Sequence, residues 1–335
     1  MQHLSSDETI IVSALISDIK AGNRRALSKA ISLSESMLDE DRILAEHMLT
    51  ELLPLTGNAK RIGITGSPGV GKSTFIEAFG LACIERGEKV AVLAIDPSSQ
   101  SHGGSILGDK VRMPILARSD NAFIRPTPSK RMLGGISHAT REAMLLCEAA
   151  GYSTLLIETV GVGQSEVEVR SITDMFLLLM LPNAGDEIQG IKRGIMELAD
   201  IIFVNKADGE FASLAEVAKS QIQSALTLMQ SPTAKWNVRT IIGSGIEGKG
   251  ILELLDIISV FFDPSANHHY ALKERRIDQA KEWFELLFQR ELIHWANKQD
   301  HLQMAKQKAI ADIEHGKALP SSAVHSIIDT LRVSK

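Results

Sequence analysis

The sequence predicts an α/β fold in which a mostly parallel central sheet is covered by helices on both faces. Three observations predict it. Short apolar runs alternate with helical stretches through the middle of the chain. A glycine-rich turn follows the first of these runs and opens a helix. Helical patterns without strands flank this region on either side. In such sheets ligands gather at the carboxyl ends of the strands, so the loops that follow strands are where chemistry is expected.

Taken in order, residues 6–53 read as helices. Ile11, Val12, Leu15, Ile16 and Ile19 recur at helical spacing, Asn23 is placed to cap a second helix carrying Leu27 and Ile31, and a third carries Leu44, Met48, Leu49 and Leu52. Pro54 and Gly57-Asn58 punctuate, which sets a boundary near residue 57. The strands are expected at 61–65, 89–95, 121–125, 153–158, 174–181, 200–204 and 239–243. After Pro264 the pattern is helical again, with Ile277, Ala280, Phe284, Leu287 and Trp295 along one stripe and a last helix containing Val324, Ile327, Ile328 and Leu331. The division is therefore an N-terminal helical region (1–56), a central α/β domain (57–264) and a C-terminal helical extension (265–335). The broad apolar stripe of that extension suggests homodimerisation.

The 335 residues suffice for one large α/β domain with helical additions. Hydrophobic content of 44% and charged content of 23% describe an ordinary globular chain. A net charge of −5 gives no electrostatic footprint for nucleic acid. The chain lacks an apolar run long enough to span a membrane and has no export signal. Cys83 and Cys147 stand far apart within apolar helical patterns, which excludes a disulfide framework or Cys-x-x-Cys metal site and fits a reducing cytoplasm.

Gly66-Ser67-Pro68-Gly69-Val70-Gly71-Lys72-Ser73-Thr74 matches the G-x-x-x-x-G-K-[ST] phosphate loop, or P-loop, in its required setting between strand and helix. Its glycines let backbone N–H groups point at phosphate oxygens, and the helix adds its positive end. Lys72 is suited to neutralise β- and γ-phosphate charge, and Ser73 to give Mg²⁺ an oxygen ligand. Asn205-Lys206-Ala207-Asp208 follows an apolar strand and matches N-K-x-D. Asp208 can accept two hydrogen bonds from the guanine N1–H and exocyclic amino group, which adenine cannot offer, so GTP and GDP are the expected ligands. Ser244-Gly245-Ile246, after the next strand, is a candidate to complete the base pocket through its backbone N–H groups.

Three carboxylates follow strands or the glycine-rich Gly103–Gly108 segment. These are Asp96, Asp109 and Glu158, candidates to serve Mg²⁺ and the γ-phosphate. Glu158-Thr159-Val160-Gly161 stands where other GTPases carry D-x-x-G, and Val162 follows where small GTPases carry a water-orienting glutamine. Valine cannot orient water, so slow intrinsic hydrolysis is expected, with acceleration by a partner or by self-association. Gln164 is available to compensate if the segment moves. The loop 183–192 lies on the same side of the sheet and is a candidate carrier of nucleotide state. His268-His269 reads as an exposed linker pair, and Trp283, Phe284, Phe288 and Trp295 read as packing residues.

Together these segments resemble the MeaB/ArgK family of P-loop GTPases. The resemblance rests on Gly66–Thr74, Ala94–Ser99, Gly103–Lys110, Glu158–Glu166, Gly185–Lys192 and Asn205–Asp208, and it covers nearly the whole chain. It implies Mg²⁺ held near Ser73, Asp96, Asp109 and Glu158, and a dimer formed through the C-terminal arm. It also implies a third switch over 185–192, with Lys192 reaching the active site when a partner is engaged. It further implies a chaperone of an adenosylcobalamin-dependent acyl-CoA mutase, usually methylmalonyl-CoA mutase, that gates cofactor loading. Gln100 departs from the proline usual in the family, which bears on the loop between Asp96 and Asp109. Two other functions compete: a nickel-insertion accessory GTPase, which needs Cys/His ligands, and a nucleotide-binding protein of amino-acid transport.

Overall fold

The computed structural model describes residues 4–36, 38–96, 112–128, 137–159, 165–183 and 193–333. Seven parallel strands form one sheet among them: β1 (Lys60–Gly66), β2 (Val90–Asp96), β3 (Ala122–Pro128), β4 (Thr154–Thr159), β5 (Met175–Met180), β6 (Ile201–Val204) and β7 (Arg239–Ile242). Their order is β3-β2-β4-β1-β5-β6-β7, with every pairing parallel. All seven expected strands are present, each within two residues of its predicted ends or closer except β3, which runs three residues further, to Pro128. Because all run one way, the carboxyl ends of all seven strands lie along the same edge of the sheet.

The strands are aliphatic on both sides because both sides are covered. Ala91, Leu93, Leu155 and Ile157 face one apolar layer, while Ile62, Ile64, Val92 and Leu156 face the other. The first layer is closed by α1 (Ser6–Lys20), α2 (Arg24–Ser34), α3 (Asp39–Leu52) and α5 (Ser137–Ala149), which contribute Ile19, Leu27, Ile31, Met48 and Cys147, all buried. Asn23 caps α2 as expected, its Oδ1 accepting from the N–H groups of Arg25 and Ala26. Ile11 is turned outward at 45% exposure, so the buried stripe of α1 is Val12, Leu15, Ile16 and Ile19. The second layer is closed by α4 (Lys72–Glu85) and α9 (Ile251–Phe261), with Phe75, Phe79 and Phe261 at its centre. A smaller cluster joins β5 and β6 to α7 (Arg193–Met196) and α8 (Ala212–Leu226).

The amino-terminal edge of the sheet, away from the candidate site, is tied by buried charge. Asp174 accepts from the Arg61 N–H (3.0 Å) and takes a two-pronged bond from Arg276, at 2.7 and 2.6 Å. Asp200 accepts from the Phe176 N–H (2.9 Å) and pairs with Arg170 at 3.1 Å on α6 (Ser165–Arg170). Arg275 and Arg276 come from the start of α10 (His269–Asn297).

By internal contacts the chain forms two compact units, Met1–Gln279 and Ala280–Lys335. The second holds most of α10 together with α11 (Asp300–Glu314) and α12 (Pro320–Val333). Two expectations fail here. His268 is buried, not exposed in a linker: its Nε2 lies 2.7 Å from the Phe261 carbonyl oxygen and its ring packs on Trp236 and Phe261. Phe284, Phe288 and Trp295 are not buried, being 62%, 52% and 50% exposed, and Ile277 is exposed as well. The buried positions of α10 are Leu272 and Gln279, which lie off the apolar stripe. Among the described residues no helix is long and apolar enough to cross a membrane.

Candidate nucleotide site

The phosphate loop leaves β1 at the centre of the sheet, between β4 and β5. Gly66 is required there because a Cβ would sit 2.6 Å from the Leu179 carbonyl oxygen of the neighbouring strand. Gly71 precedes α4 with φ +90°, a left-handed conformation that glycine adopts freely, and a Cβ there would press to 3.0 Å on the Asn205 amide nitrogen. No side chain caps α4, so the N–H groups of its first turn remain available to an anion. Lys72 folds back over the loop, donating to the carbonyl oxygens of Gly66 (2.8 Å) and Ser67 (3.4 Å). Ser73 is half-buried in the same turn, while Pro68, Gly69 and Thr74 are exposed and Val70 is buried. The Ser67 hydroxyl is buried without a hydrogen-bond partner.

Three loops are stitched together by one amide. Asn205, buried at the end of β6, donates through Nδ2 to the Val70 carbonyl (2.8 Å), and its Oδ1 accepts from the Gly245 N–H (2.9 Å). Its backbone N–H donates to Met180 and that of Ala207 to Gly243. Asn205 therefore positions the phosphate loop against the turn after β7, a role that its place in the motif does not disclose. Lys206 holds φ +59°, rare for a residue with a side chain, and its stem passes beside Gly71. Asp208 follows, and its Oδ1 is buried without a partner. An unpaired buried carboxylate oxygen is costly and calls for a donor. Gly245 packs tightly on the start of α4, where a Cβ would approach the Phe75 Cα to 3.0 Å, and Ser244 is buried. The Ile246 side chain is 77% exposed, so only its backbone is available to the pocket.

Glu158 is buried at the end of β4, in register with Ile64 of β1 and Ala94 of β2, one strand from the phosphate loop. Asp96 closes β2, the next strand over, in register with Pro128. Asp109, Lys192 and the segments 97–111, 160–164 and 184–192, which include Val162 and Gln164, lie outside the described residues. The structure thus brings together the phosphate loop, Asn205–Asp208, Ser244–Gly245 and Glu158 at one edge. The orphaned Asp208 oxygen, the buried Ser67 hydroxyl and the uncapped helix fit a guanine nucleotide, and the oxygen donors Ser73 and Glu158 suit a hard cation such as Mg²⁺.

Thr65 and Thr159 were not among the expected site residues. Their hydroxyls meet at 2.8 Å in full burial beside the loop, and the only signal in the sequence is a polar residue ending each of two aliphatic strands.

Comparison with known proteins agrees with this geometry. A family described as "Methylmalonyl Co-A mutase-associated GTPase MeaB" matches residues 27–301. A probable GTPase of Mycobacterium tuberculosis is 43% identical over 97% of this chain and 96% of its own length. GTPase ArgK of Escherichia coli is 39% identical over 94% and 95%. The methylmalonic aciduria type A homolog of Mus musculus is 44% identical over 77% of this chain and 65% of its own. Among solved structures, an LAO/AO transport system kinase superposes with a TM-score of 0.72 at 33% identity, covering 99% of this chain and all of that one. With the phosphate loop, the guanine-side turn and the parallel sheet in place, the chain belongs to the MeaB family of P-loop GTPases.

Proposed function

We propose that this GTPase is a nucleotide-controlled chaperone of an adenosylcobalamin-dependent acyl-CoA mutase, with methylmalonyl-CoA mutase the first candidate. The observation that carries the guanine half is the buried, partnerless Oδ1 of Asp208 beside a loop that Asn205 locks to the P-loop. The mutase half is supported by the family match over residues 27–301.

In this reading GTP lies along the loop Gly66–Thr74, with Lys72 swinging from the Gly66 carbonyl to the β- and γ-phosphates. Ser73, Asp96, Asp109 and Glu158 would hold Mg²⁺, directly or through water. Lys192 enters the site when the partner is engaged. Mg²⁺ supplies charge neutralisation of the phosphates, and the protein groups supply orientation and exclusion of water. The chain works as a homodimer through the apolar stripe of α10, where Phe284 and Phe288 stack at 6.1 Å on an exposed face. A cytoplasmic setting is consistent with two free, buried thiols. No specific observation favours the metal-insertion or transport reading.

The test is capture of partners from a cell extract on the immobilised protein loaded with a GTP analogue or with GDP. Recovery of an acyl-CoA mutase that differs between the two states is expected. Its absence in both states sinks the mutase half.

A further inference from the structure

We propose that Thr159, acting through Thr65, is a positioning residue for hydrolysis that holds Glu158 in place against the phosphate loop. This rests on the reading above, in which Glu158 serves the metal and γ-phosphate.

The middle of the paired length of β1 and β4 is aliphatic, through Ile62, Ile64, Leu155, Leu156 and Ile157, between Lys60, Arg61 and Thr154 at its start and Glu158 at its end. The paired register of the two strands runs from Lys60 and Thr154 to Ile64 and Glu158 and stops there. The next residue on each strand is a threonine, fully buried, and the Thr159 hydroxyl donates to that of Thr65 at 2.8 Å. If packing alone were needed, valine would fill both places with the same shape and no polar atoms to satisfy. Other buried threonines donate to backbone carbonyls or to carboxylates: Thr127 to Ala94 of the neighbouring strand and Thr173 to Val169 of its own turn, Thr154 to Glu88 and Thr233 to Asp200. Only at the point where β1 becomes the phosphate loop do two described threonine side chains bond each other across strands.

The consequence is geometric. Gly66 follows Thr65, and Glu158 precedes Thr159. On its other side Thr159 stays in register with Ile95 of β2. One side-chain bond therefore extends the β1–β4 pairing by a residue and ties the strand end that leads into the phosphate loop to the strand end that carries Glu158. Misplacement of a reacting assembly by a fraction of an ångström to an ångström lowers rate far more than affinity.

The experiment measures single-turnover GTP hydrolysis, GDP affinity and thermal melting for the full chain and for Thr159→Val, Thr159→Ser and Thr65→Val/Thr159→Val. Thr159→Val is expected to slow hydrolysis by about 10- to 100-fold while GDP affinity stays within about 3-fold. Thr159→Ser, which keeps the hydroxyl, is expected to hydrolyse at close to the wild-type rate. The double variant, which leaves no orphaned hydroxyl, is expected to recover the melting temperature but not the rate. An unaltered rate in Thr159→Val overturns the proposal, as does recovery of rate in the double variant, since that traces the defect to an unsatisfied buried group. A wild-type chain with no GTP turnover would instead remove the GTPase reading and this proposal with it.

Discussion

Replacing Asp208 by alanine isolates the guanine-reading carboxylate, and its effect can be worked from the structure. In the free protein one carboxylate oxygen is buried with no donor, so the side chain is poised at a cost that a ligand relieves. Guanine offers two N–H donors, and hydrogen bonds to a charged group contribute about 1.5–3 kcal/mol each. Removing the side chain loses roughly 3–6 kcal/mol of contact but also removes the unsatisfied oxygen from the free state, worth about 1–3 kcal/mol. The net loss is about 2–3 kcal/mol, or roughly 30- to 140-fold in GDP affinity. Titration with a fluorescent GDP analogue, together with ADP as competitor, reads this directly. The free variant is expected to melt no lower than wild type, because it loses a strained group rather than a stabilising one. A change in GDP affinity below about 3-fold, or a large drop in melting temperature, would refute the assignment.

Other predictions test the frame and the arm. Asp174→Ala leaves the Arg276 guanidinium, which is one-quarter exposed, without its two-pronged partner, and should cost about 3 kcal/mol, at the low end for a buried pair. Thermal melting should fall by roughly 5 °C. Burial pushes the Cys83 thiol from 9.0 up to about 12 and Tyr152 from 10.0 up to about 12, so both stay protonated in the folded chain at pH values where the unfolded chain ionises. The unfolded state then holds fewer protons, and stability should decline as pH rises from about 9 towards 12, seen as a falling melting temperature. For the same reason a thiol reagent at pH 8 should label neither cysteine until denaturant is added. Phe284→Asp should shift the protein from dimer to monomer in light scattering without altering GDP affinity, and an unchanged mass would refute α10 as the dimer contact.

The fold was legible where local pattern and tertiary position coincide. Seven apolar runs separated by helices yield seven strands, and Asn23 ahead of an apolar helix is a cap because its side chain reaches only its own first turn. Strand order was not legible, since the crossover that sets β4 between β2 and β1 is decided by packing of whole βα units. The phosphate loop could be read because its strand, glycines, lysine and helix are contiguous. The bridging role of Asn205 could not, because Val70 and Gly245 lie 135 and 40 residues away in sequence. Asp174 and Asp200 open the expected strands 174–181 and 200–204 and stand one residue ahead of the observed ones; only the fold brings arginines to them. Two readings failed for opposite reasons. His268 was buried by Trp236 and Phe261, partners that composition does not reveal. Phe284, Phe288 and Trp295 have core character, yet the single chain leaves them on an outer face.

The central claim, that this GTPase serves an acyl-CoA mutase, is met most directly by single-turnover GTP hydrolysis with and without purified methylmalonyl-CoA mutase. The account predicts slow turnover alone and acceleration by about tenfold or more in the presence of the mutase. A rate that the mutase leaves unchanged, with no binding in either nucleotide state, would contradict it.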